Sequence, residues 1–354
     1  MIRTRLRASA AVLAASLALL AAGCSSTRSG LAQTGGLPTL AKVGHLETTT
    51  LNVAAVPAMD SAGFFVALHD GLFRQEGLTI SYSPATSSET AIGAQLDNQY
   101  DITAGNYVSY IEQAAKGKPL QVIAEGSVML QGAQVVLTMP QSHINTLAEL
   151  RGRILAVNAP DNIDFLLTAS ALTDHGIRVN DGLGSGSAVN FYSGVPFPLM
   201  PQALQAGEYR ATRTSPAVAI NAVTVPEPFA SLMEQQLGAT AIADLNQGAT
   251  TQFPIEGYVV TKDWAKAHPN TLKAFLTALE AGQQIADTNR AEVEAAFESL
   301  GKPQVGQVSA QIASMMALDN YPLGIDKARL QRVANVMHQF NVLKAPFDIQ
   351  NMLG

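Results

Sequence analysis

Apolar and polar positions alternate from Leu51, with Leu51, Val53 and Ala55 on one side of the chain and Asn52, Ala54 and Val56 on the other. A period of two, rich in strand formers, predicts a strand that stops at Pro57. The loop Ala58–Met59–Asp60–Ser61 follows, and then Phe65, Leu68 and Leu72, spaced by three and four, put an apolar stripe on a short helix. Gly71 and Gly77 punctuate its end, and Leu78–Tyr82 reads as a second strand. Strand, polar loop, helix and strand within about thirty residues have the size of a βαβ unit. In sheets of that kind ligands sit outside the carboxyl ends of the strands.

The pattern then repeats. Ser87–Ser88–Glu89–Thr90 is helix-starting chemistry, its hydroxyls able to cap unpaired backbone N–H groups, and Ile92 and Leu96 carry the buried face. Tyr100–Ala104 is a short strand, Gly105–Asn106 leads into a helix through Ala115, and Lys116–Leu120 turns into another strand. Gln134–Met139 is expected to cross into a second module. There Ile154–Val157 is a strand, Asn158–Asp161 a loop, and Phe165, Ala169 and Leu172 mark a helix that stops near Gly176. Phe197–Gln205 suggests another helix, Val223–Pro228 a strand end, Pro254–Val260 the return crossing and Leu272–Ala286 an amphipathic helix.

These segments, read together, resemble the solute-binding proteins of bacterial ABC importers. More narrowly, they are similar to the group that includes the nitrate, sulfonate and taurine binders and the thiamine-pyrimidine-precursor binders. The resemblance begins in GFFVALHDGLFRQEGLTISY (Gly63–Tyr82) and continues through Thr86–Leu96, Asp101–Ala104, Lys116–Leu120, Leu147–Arg153 and Glu227–Pro228–Phe229, as far as about Tyr321. It implies an α/β chain with a two-lobed periplasmic-binding-protein fold of type II, each lobe a mixed sheet flanked by helices and joined by two hinge crossings. The implied division is 51–135 for the first part of lobe 1, 136–255 for lobe 2, and 256–354 for the return crossing, the completion of lobe 1 and C-terminal helices. One stretch departs: 19 residues lie between Gly207 and Glu227, roughly twice the usual number, and Arg210–Ala219 reads as an inserted surface loop.

The first fifty residues carry a different pattern. Arg3, Arg5 and Arg7 precede an apolar run, Ala10–Ala22, broken only by Ser16, the layout of a secretory signal over residues 1–23. Ala21–Ala22–Gly23 then meets Cys24, the only cysteine in the chain, in a pattern similar to a bacterial lipobox that would lipidate Cys24. Residues 24–50, rich in Ser, Thr and Gly, read as a flexible tether. Without the leader, 19 basic face 28 acidic residues, and an acidic, aromatic-poor chain argues against nucleic acid as a partner. The six histidines have no metal-ligand spacing, and no H-E-x-x-H, P-loop or G-x-S-x-G occurs. No cofactor, metal or catalytic role is therefore expected. Fungal pyrimidine synthases share the fold family, but their cysteine- and histidine-bearing motifs are missing here.

An interlobe cleft is the ligand site that the resemblance implies. Its candidate residues are Asp60, Ser61, Ser87, Ser88 and Asn106 from the first lobe and Asn158, Asn162 and Glu227 from the second. Each stands at a strand's carboxyl end or a helix's amino end; Ser87, Ser88 and Asn162 could equally be plain helix caps. Phe64 and Tyr107 are candidates for the cleft wall or the core. The expected protein is a monomer, anchored to the outside of the bacterial membrane by lipid alone, that delivers a small molecule to an ABC permease. The alternatives are an extracytoplasmic sensing domain and a pyrimidine-precursor enzyme. Asp161–Asn162–Ile163–Asp164 reads as an Asp cap with a second acid in the first turn. With Asp60 and Glu227 nearby and no Lys or Arg among the candidates, a neutral, zwitterionic or cationic ligand is expected. An unpaired carboxylate about 6 Å from a bound anion costs it more than tenfold in affinity at an effective dielectric of about 20.

Overall fold

The computed structural model describes residues 45–301 and 306–354; the leader and Cys24 lie outside the described residues. In the first lobe β1 (Thr50–Ala55) runs through a turn of 3-10 helix, Met59–Ser61, into α1 (Ala62–His69) and α2 (Leu72–Gln75). The single stripe expected over Phe65–Leu72 is thus two helices. Gly71 takes a left-handed φ of 71° between them, a conformation open to glycine at little cost. Next come β2 (Thr79–Pro84), α3 (Ser88–Leu96), β3 (Ile102–Asn106), α4 (Tyr107–Ala115) and β4 (Leu120–Val128).

The second lobe holds β5 (Gln134–Thr138), β6 (Ile154–Val157), α5 (Ile163–Asp174), β7 (Val179–Asn180), β8 (Val189–Ser193) and α6 (Met200–Ala206). It continues with β9 (Glu208–Tyr209), β10 (Val218–Ala219), β11 (Ala222–Pro226), α7 (Phe229–Leu237) and β12 (Thr240–Asp244). The chain then re-enters the first lobe as β13 (Pro254–Thr261). Helices α8 (Lys262–Ala267), α9 (Pro269–Thr288), α10 (Arg290–Ser299), α11 (Ala310–Met315) and α12 (Lys327–Gln339) follow. The inserted stretch after Gly207 is an exposed two-stranded ribbon, Val218 opposite Tyr209, rather than a loop throughout.

The two sheets share one plan. In the order β2-β1-β3-β13-β4, β1 runs parallel to β2 and β3, and β13 alone is antiparallel, placing Tyr258 between Ala104 and Ala124. In the order β12-β5-β11-β6-β8-β7, the strands β11, β6, β8 and β7 are parallel, and β5 is antiparallel to β11 and β12. In each sheet the antiparallel strand β13 or β5 is the one that arrives from the other lobe. Gln134–Met139 and Pro254–Val260 were expected to be crossings, but both are strands inside a sheet, and the crossings are the short segments before them. β5 is buried along its whole length and β13 everywhere but at Thr261. Their backbone groups need ladder partners that a bare connection would not supply.

Helices α1 and α9 cover one face of the first sheet, where Phe73 stacks on Phe275 at 5.1 Å and Phe64 packs among Phe65, Phe73, Tyr82 and Tyr258. Phe64 is therefore core. Among the described residues no helix is long and apolar enough to cross a membrane.

Candidate functional site

The parallel strands of both sheets end toward the line where the lobes meet, while the antiparallel strands start there. That geometry gathers two sets of side chains at one place. After β1, Met59 N–H donates to the Glu227 carbonyl in the second lobe at 2.8 Å, so the first loop touches both lobes. Asp60 and Ser61 on this turn are buried, and Ser61 Oγ donates to Glu256 Oε1 at the start of β13. Gln134, the first residue of β5, lies beside Asp60. Asp319, in the segment after α11, closes the group; its Oδ1 accepts from Leu130 N–H at 3.3 Å and its carboxylate adjoins Asp60. Tyr321 Oη donates to the Met59 carbonyl at 3.1 Å and fixes the same segment against the first loop.

The other expected residues form a capping layer around this group. Ser87 caps α3 by accepting from Thr90 N–H, and Ser88 Oγ accepts from both the backbone N–H and the side-chain amide of Asn106 at 2.9 Å. Asn106 in turn caps α4 through Ser109 N–H at 2.9 Å, and Ser109 Oγ reaches Glu89. Asn162, not Asp161, caps α5 by accepting from Phe165 N–H at 3.1 Å, and its amide donates to Asn158 Oδ1. Asp161 takes a left-handed φ of 47° that turns it away from the cap, toward Asp181, Lys116 and Lys344. The expected Asp cap is thereby corrected, and only Asp164 of that pair is buried in the site.

Glu227 is placed differently from the expectation of a ligand-facing carboxylate. Its oxygens accept from Ser231 N–H at 3.0 Å, Ser231 Oγ at 2.8 Å and Ala317 N–H at 3.1 Å. Those bonds tie α7 to the segment before Asp319, and only the carbonyl of Glu227 reaches the first loop. Lys262 is exposed on the outer surface, where its ammonium donates to the Asn351 carbonyl. Tyr107 is fully buried, its ring against Gly257; a Cβ there would meet that ring at 2.5 Å, so glycine is what lets the strand pass.

The electrostatics of the group follow from its burial. Asp60 is pushed up to about 6, burial outweighing the neighbouring Asp319 and Gln134. Burial first, and the Asp60 charge second, raise Glu256 and Asp319 well above the usual carboxylate range. Asp164 is raised by burial, then by Asp60 and Glu89, which brings the acids of both lobes into one field. Adjoining carboxylates cannot both ionise in such a place, so Asp60 and Asp319 hold one proton between them when nothing else neutralises them. Glu227 is raised to about 7 by burial, against its three donors.

Sequence reasoning missed Gln134, Glu256 and Asp319, because Gln134 and Glu256 stand at strand starts and Asp319 in a connecting segment, not at a strand's carboxyl end or a helix's amino end. A signal existed: Glu256 is an acid in the otherwise apolar run Pro254–Val260. A surface cavity of about 840 Å³ lies elsewhere, between the end of α4, Asp161 and the segment 340–347. Among the described residues no three His, Cys, Asp or Glu side chains are grouped to hold a metal ion.

Comparison with known proteins gives a family and a fold. The NMT1-like family matches residues 44–300. The alkanesulfonate-binding protein SsuA from Xanthomonas axonopodis pv. citri, bound to MOPS, superimposes with a TM-score of 0.68 at 14% identity, over 88% of this chain and 99% of that one. The periplasmic aliphatic sulphonate-binding protein SsuA from Escherichia coli gives 0.63 at 17% identity, over 86% and 97%. The periplasmic nitrate-binding protein NrtA from Synechocystis PCC 6803 gives 0.66 at 16% identity, over 86% and 85%. No curated protein sequence matches the chain.

Proposed function

The chain belongs to the NMT1-like family, and from that premise we propose that it is the solute-binding component of an ABC importer. It captures a small polar molecule where its lobes meet and passes it to a permease. The observation that carries this reading is the set of buried polar groups drawn from both lobes: Asp60, Ser61 and Glu256 from one, Gln134 and Asp164 from the other, with Asp319 beside the crossing. Buried polar atoms are almost always paired within a protein. Here Asp60 Oδ1, Gln134 Oε1, Asp164 Oδ1 and Asp319 Oδ2 have no hydrogen-bond donor among the described residues. Unpaired acceptors at a two-lobed junction suit a guest molecule better than they suit a core.

The fold shared with sulfonate- and nitrate-binding proteins supports small-solute capture, while the ring of acids argues for a ligand other than those anions. The capping layer of Ser87, Ser88, Asn106, Asn158 and Asn162 orients the helix ends around the guest. Closure of the lobes about the two short crossings then buries it. The leader supports export and lipidation at Cys24, which would hold the protein outside the membrane beside its permease.

The test is a calorimetric panel of nitrate, ethanesulfonate, taurine, aminopyrimidines and acetamidine at pH 7, followed by solution scattering with whichever compound gives a saturable heat. The radius of gyration should fall on binding. At a hundred times its dissociation constant, such a compound should also add about 2.7 kcal/mol of stability if it binds only the folded state. Saturable binding with no compaction would remove the closure mechanism.

A further inference from the structure

Every ionisable side chain buried among the described residues is an acid, apart from tyrosines: Asp60, Glu125, Asp164, Glu227, Glu256 and Asp319 are buried, and no Lys, Arg or His is. The protein answers two of these itself. Glu125 receives the Arg329 guanidinium through Nε at 2.8 Å and Nη2 at 3.1 Å, together with Asp326 N–H, and Glu227 has its three donors. The four others, Asp60, Asp164, Glu256 and Asp319, face the junction of the lobes, and among the described residues no basic side chain forms an ion pair with any of them. Asp60 is 7% exposed and Asp319 4%, so water cannot screen them; the two carboxylates meet each other, and among the described residues no N–H group reaches Asp60 Oδ1 or Asp319 Oδ2. Gln134 Oε1 beside them is a third unpartnered acceptor.

The helix ends at this place are occupied in part by the chain's own side chains. Those of α3, α4 and α5 are capped by Ser87, Asn106 and Asn162, and α3 and α5 carry Glu89 and Asp164 in their first turns. Glu89 opposes the partial positive charge at its helix end, and the buried Asp164 fills the first turn of α5 with an acid rather than a donor.

We propose that the site takes an amidinium- or guanidinium-type cation whose paired N–H donors bridge Asp60 Oδ1 and Asp319 Oδ2, a ligand class that deepens, and rests on, the solute-capture reading. A planar cation with two parallel N–H groups on one edge matches a pair of adjoining carboxylates, as it matches a single bidentate carboxylate. Its remaining N–H groups lie toward Gln134 Oε1 and, from the second lobe, Asp164. The occupant thus needs donors on more than one edge, and a simple tertiary amine would leave Asp319 or Gln134 unanswered. Asp60 comes from the first lobe, Gln134 from the second and Asp319 from the segment tied to the crossing. A cation that bonds all three therefore links the parts that closure brings together.

The experiment uses the full chain and its Asp319→Asn and Asp60→Asn variants, each checked for folding by circular dichroism. Acetamidine, methylguanidine and benzamidine are titrated by calorimetry and thermal shift at pH 7.5, beside nitrate and ethanesulfonate. At least one of the three cations should bind saturably, and each Asn substitution should weaken it tenfold or more, while the anions do nothing. Absence of binding by all three cations overturns the proposal. If nitrate or ethanesulfonate binds in their place, solute capture stands and only the cation assignment falls; if neither set binds, both lose support. Equal affinity of the variants and the wild type for a cation would move its seat away from Asp60 and Asp319. Such a result overturns the bridge as well. The rival account, in which the two acids share a proton and serve packing alone, requires that no cation shift the melting temperature.

Discussion

A carboxylate taken from water needs a counter-charge, a set of donors or a proton, and the buried acids of this chain use all three. Glu125 has Arg329, Glu227 has Ser231 and Ala317, and Asp60 with Asp319 is left to share a proton. The consequence for pH has a definite sign. Asp60 rises from 3.8 to about 6 and Glu227 from 4.5 to about 7 on folding, so between roughly pH 4 and 7 the folded chain holds more protons than the unfolded one. Stability supplied by these raised groups is fully present below about pH 4 and is lost as pH rises past about 7. Two units per group correspond to roughly 3 kcal/mol each as an upper bound. Chemical denaturation should give a lower unfolding free energy at pH 8 than at pH 5. A free energy that rises across that interval would show that the acids are ionised in the folded state.

Helix α9 organises the first lobe by lying almost on the backbone of α1. A Cβ on Gly282 would come within 2.3 Å of the Gly63 carbonyl and 2.6 Å of Ala67 Cβ, and one on Gly63 would meet Gln283. Gln283 needs this closeness, because its amide donates to the carbonyls of Glu125 at 2.5 Å and Gly126 at 3.2 Å in β4. The helix pair thereby holds the strand that leads into the first crossing. Gly282→Ala should cost about 1–3 kcal/mol through overpacking, although alanine is the better helix former. Gly93→Ala, on the exposed side of α3 with nothing near its Cβ, should stabilise by about 0.5–1 kcal/mol. Denaturation midpoints of the two variants should move in opposite directions, and a neutral Gly282→Ala would mean that the helices have room to part.

For the whole molecule, the two sheets repeat one design, a parallel set with one antiparallel strand entering from the other lobe, and the C-terminal segment adds a third strap. Asn320 pairs with Val128, Ala317 bonds Glu227, and Tyr321 bonds Met59. Residues Met316–Tyr321 thus span the line about which the lobes would turn and carry Asp319 to it. Location is decided at this scale too. Wild-type chain expressed in a bacterium should incorporate labelled fatty acid and fractionate with membranes, while Cys24→Ser should do neither. Release of wild type from membranes without detergent would argue against anchorage.

The fold was legible from alternation, helical spacing and family motifs between Leu51 and Tyr321, because strands and amphipathic helices are specified by local periodicity. Asp60 and Ser61 were legible for the same reason: a polar loop after a strand is a local feature. The excess of acids among the candidates carries the expectation of a ligand other than an anion, which the binding panel tests. Three things needed the tertiary structure. Asn162 rather than Asp161 caps α5, since the choice depends on a backbone angle that the residue types leave open. Glu227 faces Ser231 and Ala317, the latter ninety residues away. Gln134, Glu256 and Asp319 join Asp60 only because β5 and β13 run against their neighbours, so that their first residues stand where the other strands end. Which end of a strand reaches the junction of the lobes is a property of sheet direction, and direction is set by the partner strands rather than by the strand's own residues.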